Sequence, residues 1–262
     1  MDPDSEIHNN FRIDMNLLSV DRESPIINSA KKATKVCRGR YRVAVKQLLE
    51  GSTAVPTPEA MQMFRRQIAV LPIVNHENVV KFVGASFQNM TLIAEFMMRG
   101  SLKNLLTKRQ PEHMLDLQTV VGFALDTAQA MKYLHANNMT HRDLQASNLL
   151  LSVDGKHLKL ANFGLDEKVP GAQSIRNDVQ SFGRVLFDMI PNCVELIVKY
   201  QLRSQPAYDA YTMALLKANS GNLISFASSC MSANSDGEPD FTKIIAFLSR
   251  LSDELQAAMH GE

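Results

Sequence analysis

The sequence predicts an α+β fold of two lobes, because strand-like segments fill its first third and helical periodicity dominates the remainder. The chain has 262 residues, of which 45% are hydrophobic, and this is enough to bury a large core in one domain or two tightly packed lobes. No internal repeat is evident. We therefore expect a strand-rich lobe followed by a helical lobe.

The first third carries the strand-like segments. Residues 1–10 are polar and are predicted to fray, and the following FRIDMNLLSV mixes apolar and polar positions like a first strand. KVCRGRYRVAVKQL then alternates with a period of two, which places Val43 and Val45 on one strand face and Ala44 and Lys46 on the other. Two further strands are predicted in NVVKFVGASF and MTLIAEFM.

Helical periodicity begins with PEAMQMFRRQIAVL, whose Pro and Glu suit a helix start, and RGSLKNLL is predicted to open a helix after Gly100 and Ser101. From DLQTVVGFALDTAQAMKYLHANN onward the pattern is helical, through DVQSFGRVLFDMI, VELIVKYQL, AYTMALLKA and FTKIIAFLSRLSDEL. We therefore expect the second lobe to be helical.

Charge and composition exclude several kinds of partner. The formal net charge is +1 and the 28 basic residues are scattered, so neither nucleic acid nor an anionic membrane is expected to bind. Cys37, Cys193 and Cys230 have no CxxC spacing, which favours buried thiols in a reducing compartment, cytoplasm or nucleus, over disulfides or zinc. No apolar run approaches the roughly 18 residues of a transmembrane helix.

Residues 140–168 carry the pattern that points to a chemistry. They contain HRDLQASN, with Asp143 and Asn148, and then Asn162-Phe163-Gly164. Together with HENVVKFVGAS and KHLKLANFGL, these motifs resemble protein kinases over residues 12–255, in particular the plant Raf-like MAP kinase kinase kinases of the tyrosine-kinase-like group. The resemblance implies a two-lobe protein kinase-like fold: a flexible N-terminus (1–11), a β-rich N-lobe (12–95), a hinge and helical C-lobe (96–256) and a tail (257–262).

The resemblance also implies a nucleotide pocket between the lobes. In the family, Lys46 would contact the phosphates, Ala94 would be a small gatekeeper, and Asp143 would be the general base. Asn148 and Asn162 occupy the two magnesium positions of the family. The apolar walls and the hinge of the pocket would be formed by Val36, Ala44, Leu150, Glu95, Phe96 and Met97.

Several charged or special residues of the family are replaced in this chain. Ser29, Lys31 and Thr34 fall at the three glycine positions of the phosphate-covering loop. Gln67 falls at the glutamate that would pair with Lys46, and Gln145 at the lysine of the catalytic loop. Asn162 replaces the aspartate that holds magnesium, and a neutral amide is a poorer ligand for this hard dication than a carboxylate. The sequence therefore predicts severely impaired phosphoryl transfer.

The segment that presents a peptide substrate in the family is also shortened. Asn162 and Asp178 are only 16 positions apart, and no Ala-Pro-Glu motif lies between them. The arginine that pairs with that glutamate in the family is missing too, because the corresponding RPxF sequence is Glu238-Pro239-Asp240-Phe241 here. Ser174 is the candidate phosphoacceptor of the shortened segment.

Packing positions of the family are retained. Leu71, Phe82, His141 and Phe163 match its regulatory spine, and Asp178 matches the anchor of that stack on the long helix. The basic motif through which Raf-family kinases dimerise is replaced by Pro72-Ile73-Val74-Asn75, and the oligomeric state is left open.

Retained packing with lost charge predicts a catalytically defective Raf-like pseudokinase that works as a signalling scaffold or as an allosteric partner of signalling proteins, including an active kinase. In this hypothesis Asp143 is mainly a structural carboxylate that accepts backbone hydrogen bonds, and no cofactor is required. Two alternatives remain. One is a residual ATP-binding serine/threonine kinase that uses Asp143 and Asn148 with Lys31 or Lys46. The other is a nucleotide sensor that binds ATP weakly without magnesium.

Overall fold

We describe the protein from a computed structural model, which defines residues 19–26, 33–38, 41–47, 56–87, 90–108, 115–163, 171–202, 210–232 and 239–260. The chain divides into two compact units, Met1–Met98 and Arg99–Glu262. The sequence places this boundary between residues 95 and 96. Within the defined residues, no helix has the length and apolar character needed to cross a membrane.

The first unit is built on one antiparallel sheet of five strands with the order β1-β2-β3-β5-β4. The pairing of β1 with β2 shifts register between Val20 and Pro25, which suits a proline because it cannot donate to a ladder. Of the predicted first strand, Ser19 and Val20 lie in β1 and residues 11–18 lie outside the described residues. The strands are β1 Ser19–Ile26, β2 Ala33–Arg38, β3 Tyr41–Gln47, β4 Phe82–Ser86 and β5 Thr91–Glu95.

The predicted alternation in β3 is confirmed. Val43 and Val45 are 4% and 7% exposed and form a small apolar cluster with Ile93 of β5. Ala44 and Lys46, on the opposite face, are half-buried. A period of two along a strand therefore places the lysine beside the alanine, as expected from the pleat.

The predicted helix after the third strand is also confirmed, as α1 Pro58–Val70. Thr57 caps it, because its Oγ1 accepts a hydrogen bond from the Ala60 N–H at 3.2 Å, and Pro58 suits the first turn. Phe64 and Ile68, one turn apart, are buried against Ala85 and Met90. A 3₁₀ turn, Leu71–Ile73, follows the helix directly.

The second unit is mainly helical, as predicted. Ser101 and Asp116 cap its first two helices through bonds to the N–H groups of Asn104 and Thr119. The two predicted segments DVQSFGRVLFDMI and VELIVKYQL form one continuous helix that contains Pro191. The helices are α2 Leu102–Thr107, α3 Leu117–Ala136, α4 Ala172–Leu202, α5 Ala210–Met231 and α6 Phe241–His260.

A hairpin that the sequence pattern did not predict interrupts the helices of the second unit. Strands β6 Leu149–Leu151 and β7 Leu158–Leu160 pair in antiparallel register. Three residues per strand are too few to establish a recognisable alternation in the sequence. The hairpin positions the residues on either side of it, Asn148 before β6 and Ala161 after β7, whose backbones are joined by a bond from Ala161 N to Asn148 O of 2.8 Å.

Helices α4 and α5 approach closely at Gly183. A Cβ built there would lie 2.8 Å from the Ala227 carbonyl oxygen and 2.9 Å from both Cys230 Cβ and Met231 Cγ. Cys230 is fully buried and not in a disulfide, as predicted, and burial raises the pKa of its thiol to about 12. Because the thiol stays neutral near neutral pH, Cys230 acts here as a packing residue.

Candidate functional site

The catalytic-loop motif is held in place by the buried carboxylate of Asp178, which α4 carries into the interior of the second unit. Asp178 is 0% exposed and accepts three hydrogen bonds. The His141 N–H and the His135 Nε2–H donate to Oδ2, each at 2.9 Å, and the Arg142 N–H donates to Oδ1 at 2.8 Å. Arg142 has a φ of 63°, which is unfavourable for a residue with a side chain. The paired bonds to Asp178 stabilise this turn.

His141 connects the loop to the residue that follows β7. Its Nε2–H donates to the Ala161 carbonyl at 3.0 Å, and its Nδ1 accepts the Asp143 N–H at 3.2 Å. One donating and one accepting nitrogen define the neutral imidazole. Burial lowers the pKa of His141, in agreement with this hydrogen-bond pattern.

Acidification is expected to destabilise the fold through His141. Because its pKa is lowered in the folded protein, the unfolded chain binds the proton more readily. The contribution of His141 to the free energy of unfolding is therefore complete above the ordinary histidine pKa of about 6.5 and is lost as the pH falls below that value. Free energies of unfolding in urea for the wild type and His141→Gln should converge between about pH 7.5 and about pH 5.5. A constant difference would contradict this expectation.

Three side-chain amides, those of Gln145, Asn148 and Asn162, form a hydrogen-bonded series that ends at Asp143, and we call these four residues the amide chain. Gln145 Nε2 donates to Asp143 Oδ1 at 2.6 Å, and Asn148 Nδ2 donates to Asp143 Oδ2 at 3.0 Å and to the Asp143 carbonyl at 2.7 Å. Asn162 Nδ2 donates in turn to Asn148 Oδ1 at 3.0 Å. The donors to the Asp143 carboxylate are thus side-chain amides, and the prediction of backbone donors is wrong. They come from residues two and five positions further along the same loop.

The amide chain presents hydrogen-bond donors where a magnesium ion needs oxygen lone pairs. Asn148 Oδ1 already accepts an N–H, and the side chain of Asn162 turns its amino group towards it. Asn162 has a φ of 63°, a conformation that asparagine tolerates better than most residues. The described residues contain no cluster of three or more His, Cys, Asp or Glu side chains that could hold a metal.

In the first unit, the predicted phosphate-contacting lysine and the residue at the glutamate position are both half-buried. Lys46 lies in β3 opposite Leu92, and Gln67 lies in α1. Gln67 Oε1 is buried and accepts no hydrogen bond from the described residues, so it does not receive one from Lys46. The polar contact that would orient this lysine in the family is therefore not made by Gln67.

The predicted pocket residues are distributed over both units. In the first, Ala44 and Ala94 are direct cross-strand partners, whereas Val36 is opposite Val43. Glu95 exchanges two bonds with Lys81: its N–H donates to the Lys81 carbonyl at 2.9 Å, and its Oε1 accepts the Lys81 N–H at 2.8 Å. Their use as a single nucleotide pocket stays a prediction. Of the remaining members, Phe96 is half-buried and Met97 is buried after β5, and Leu150 is half-buried in β6 of the second unit.

The segment after Asn162 is short in the structure as well as in the sequence. Helix α4 begins at Ala172, so residues 164–171 alone connect Phe163 to it, and 164–170 lie outside the described residues. Ser174 is in the first turn of α4, where its N–H donates to the Gly171 carbonyl at 2.9 Å. Near the C-terminus, Asp240 caps α6 by accepting the Lys243 N–H at 2.8 Å. The glycine-position residues Ser29 and Lys31 lie outside the described residues.

Sequence reasoning did not find His135 or Asp126. His135 supplies the third hydrogen bond to Asp178 from the end of α3, 43 positions away. Asp126 lies in the middle of α3, is nearly buried, and accepts the Leu158 N–H at 2.8 Å, so it fixes β7 to this helix. A charged residue on the apolar side of the α3 pattern was the available signal for Asp126. No local signal pairs His135 with Asp178.

Comparison with known families agrees with this geometry. Residues 27–176, which are more than half of the chain, match the family described as "Protein tyrosine and serine/threonine kinase". The chain belongs to this kinase family. The predicted two-lobe α+β kinase fold is therefore confirmed.

This kinase domain is similar to several plant kinases. It is 28% identical to the serine/threonine/tyrosine-protein kinase HT1 of Arabidopsis thaliana, with 84% of this chain and 64% of that protein aligned. It is 27% identical to the serine/threonine-protein kinase STY17 of the same plant, over 96% of this chain and 48% of that protein. It is 39% identical to the serine/threonine-protein kinase CTR1, also of Arabidopsis thaliana, over 47% of this chain and 15% of that protein. The chain thus spans less than two thirds of the length of these curated relatives.

Proposed function

We propose that this kinase domain is a catalytically defective Raf-like pseudokinase that acts by binding signalling proteins, as a scaffold or an allosteric partner. Its relatives are named as kinases. The proposal therefore depends on the positions at which this chain departs from the kinase residue pattern. The differences are concentrated at positions whose charge phosphoryl transfer requires.

The observation that carries the proposal is the bond from Asn162 Nδ2 to Asn148 Oδ1. In a kinase, these two positions would both direct oxygen atoms at magnesium ions, which bridge and neutralise the phosphates. The Asn162 amino group donates to Asn148 Oδ1, an oxygen that would otherwise face a magnesium ion. Positioning and electrostatic stabilisation supply almost all of the rate enhancement in phosphoryl transfer, so this loss affects the main source of catalysis.

Two further neutral residues support the same conclusion. Gln145 is hydrogen-bonded to Asp143 where the family has a lysine that would neutralise the transferred phosphoryl group. Gln67 is neutral, so it cannot form with Lys46 the ion pair that the family's glutamate would form. Each replacement exchanges a charged group for a neutral amide and so removes a charge that the family uses.

The link between Phe163 and α4 supports a role without a peptide substrate. Residues 164–171 span at most about 28 Å when fully extended, and they must connect two fixed elements. The resemblance implies a longer segment here, which carries an activation loop and a peptide-docking strand in the family. A kinase fold with a stable catalytic loop and a minimal substrate segment is suited to interaction through its surface.

The purified protein is expected to transfer no phosphate. Radiolabelled γ-phosphoryl transfer from ATP with magnesium, to itself or to a generic protein substrate, should be equal for the wild type and Asp143→Asn. The reason is that the proposed base has no metal-held phosphate to act on. Turnover by the wild type that disappears in Asp143→Asn would overturn the proposal and support the residual kinase.

Nucleotide binding is tested separately by thermal denaturation with ATP, in magnesium and in EDTA. A scaffold that does not depend on nucleotide should show no shift in Tm under either condition. An equal shift in both would support the metal-independent nucleotide sensor instead, because a ligand that binds only the folded state raises its stability. Affinity capture from cell extract followed by mass spectrometry, with an unrelated kinase domain as control, then identifies the signalling partners.

A further inference from the structure

The direction of every hydrogen bond in the amide chain is fixed by the geometry. Both N–H groups of Asn148 are used, because its Nδ2 donates to the Asp143 carbonyl and to Asp143 Oδ2. Its Oδ1 is therefore the acceptor, and Asn162 must present its amino group. Rotating the Asn148 amide would break two bonds in order to change the third.

The bond from Asn162 to Asn148 belongs to a series of contacts that join the catalytic loop to the residues after β7. Leu149 pairs with Leu160 at the end of the β6–β7 hairpin. Ala161 N then donates to Asn148 O, the Ala161 carbonyl accepts from His141, and the Asn162 side chain reaches the Asn148 side chain. The left-handed backbone of Asn162 ends the extended strand at this point.

We propose that Asn162 is a hydrogen-bond latch: its bond to Asn148 joins the residues after β7 to the catalytic loop, as a divalent cation does in an active kinase. The loop then keeps one geometry whether or not cation or nucleotide is present. This inference rests on the proposed function, because a loop that no longer performs chemistry can serve as a fixed binding surface only if something other than a bound metal orders it.

The chemistry of an aspartate at this position shows why the latch depends on the amide. A carboxylate at residue 162 would place an oxygen about 3 Å from Asn148 Oδ1 with no hydrogen between them. Two acceptors in contact repel each other, and the Asp143 carboxylate on the far side of Asn148 adds a second negative charge nearby. A magnesium ion between the oxygens would remove this repulsion.

Thermal denaturation of Asn162→Asp, Asn162→Ala and the wild type, each in EDTA and in magnesium chloride without nucleotide, tests the latch. In EDTA we expect Asn162→Asp to melt roughly 3–6 °C below the wild type and Asn162→Ala on the order of 2 °C below it. Magnesium should raise the Tm of Asn162→Asp and leave the wild type unchanged. Asn138→Asp is the matched control, because Asn138 also has a positive φ, of 55°, and is also exposed, but lies outside the amide chain.

The outcomes separate the latch from the proposed function. If Asn162→Asp and Asn138→Asp melt together in EDTA, or if magnesium raises the Tm of the wild type, the latch is wrong even if no phosphate is transferred. Conversely, phosphate transfer by the wild type would contradict the proposed function without changing these melting temperatures. Hydrogen exchange of wild-type residues 140–163 gives a second measurement that needs no variant. Protection should be equal in EDTA and in magnesium, and a loss of protection in EDTA would overturn the latch.

Discussion

Replacing Asp178 by alanine is expected to lower the free energy of unfolding by about 4 kcal/mol, one of the two largest effects that a single substitution should have in this protein. The carboxylate is fully buried and receives the N–H groups of His141 and Arg142 and the His135 ring. Alanine would leave these donors buried without an acceptor. It would also leave the unfavourable backbone of Arg142 unsupported.

The free energy of unfolding of Asp178→Asn should lie between those of the wild type and Asp178→Ala. One acceptor oxygen remains in this variant, but the new amino group faces an N–H donor. Asp188→Asn, at an exposed position of the same helix, is the control and should change stability by less than about 0.5 kcal/mol. Equilibrium unfolding in urea measures all three variants. An Asp178→Ala variant as stable as the control would show that the carboxylate does not anchor the catalytic loop.

Gly183→Ala is expected to lower the free energy of unfolding by about 2–3 kcal/mol, although alanine favours a helix over glycine by about 1 kcal/mol. The new methyl group would overlap the Ala227 carbonyl oxygen at 2.8 Å and Cys230 Cβ at 2.9 Å. Both atoms belong to the neighbouring helix α5 and lie on or next to its backbone, so α4 and α5 would have to move apart. The variant should keep its helical circular dichroism and unfold at lower urea concentration.

Gly221→Ala, in the same pair of helices, is expected to change the free energy of unfolding in the opposite direction. Gly221 is exposed in α5, and a Cβ built there meets nothing within 4 Å. Alanine should therefore raise the free energy of unfolding by about 0.5–1 kcal/mol through helix propensity. If Gly183→Ala raises stability as Gly221→Ala does, the close approach of α4 and α5 at Gly183 is not tight in solution.

Local patterns predicted the parts of the fold that depend on neighbouring residues. The alternation of Val43 to Lys46 defined β3 because side chains of a strand point to opposite faces, whatever the strand pairs with. Ser101 indicated a helix start because a capping side chain bonds N–H groups two or three residues ahead. The β6–β7 hairpin was missed because each strand is three residues long, and its formation depends on the pairing partner.

The site could be predicted as a set of residues but not as a set of contacts. The resemblance of the HRD and NFG motifs to those of protein kinases named Asp143, Asn148 and Asn162. Backbone N–H groups were expected to donate to Asp143, but the donors are the side-chain amides of Gln145 and Asn148. Which of several polar groups donates to a carboxylate depends on side-chain rotamers and loop geometry, and these are not encoded in spacing.

The sequence by itself determined the family of this protein, the succession of a strand-rich part and a mainly helical part, and the neutral amides at positions where the resemblance implies charge. These properties follow from residue identity and short-range periodicity. Only the tertiary structure decided that Asn162 donates to Asn148, that His135 reaches Asp178 from 43 positions away, and that Gly183 lies against Ala227. The physical reason is that hydrogen-bond direction and close packing depend on where distant segments lie, which the folding of the whole unit settles.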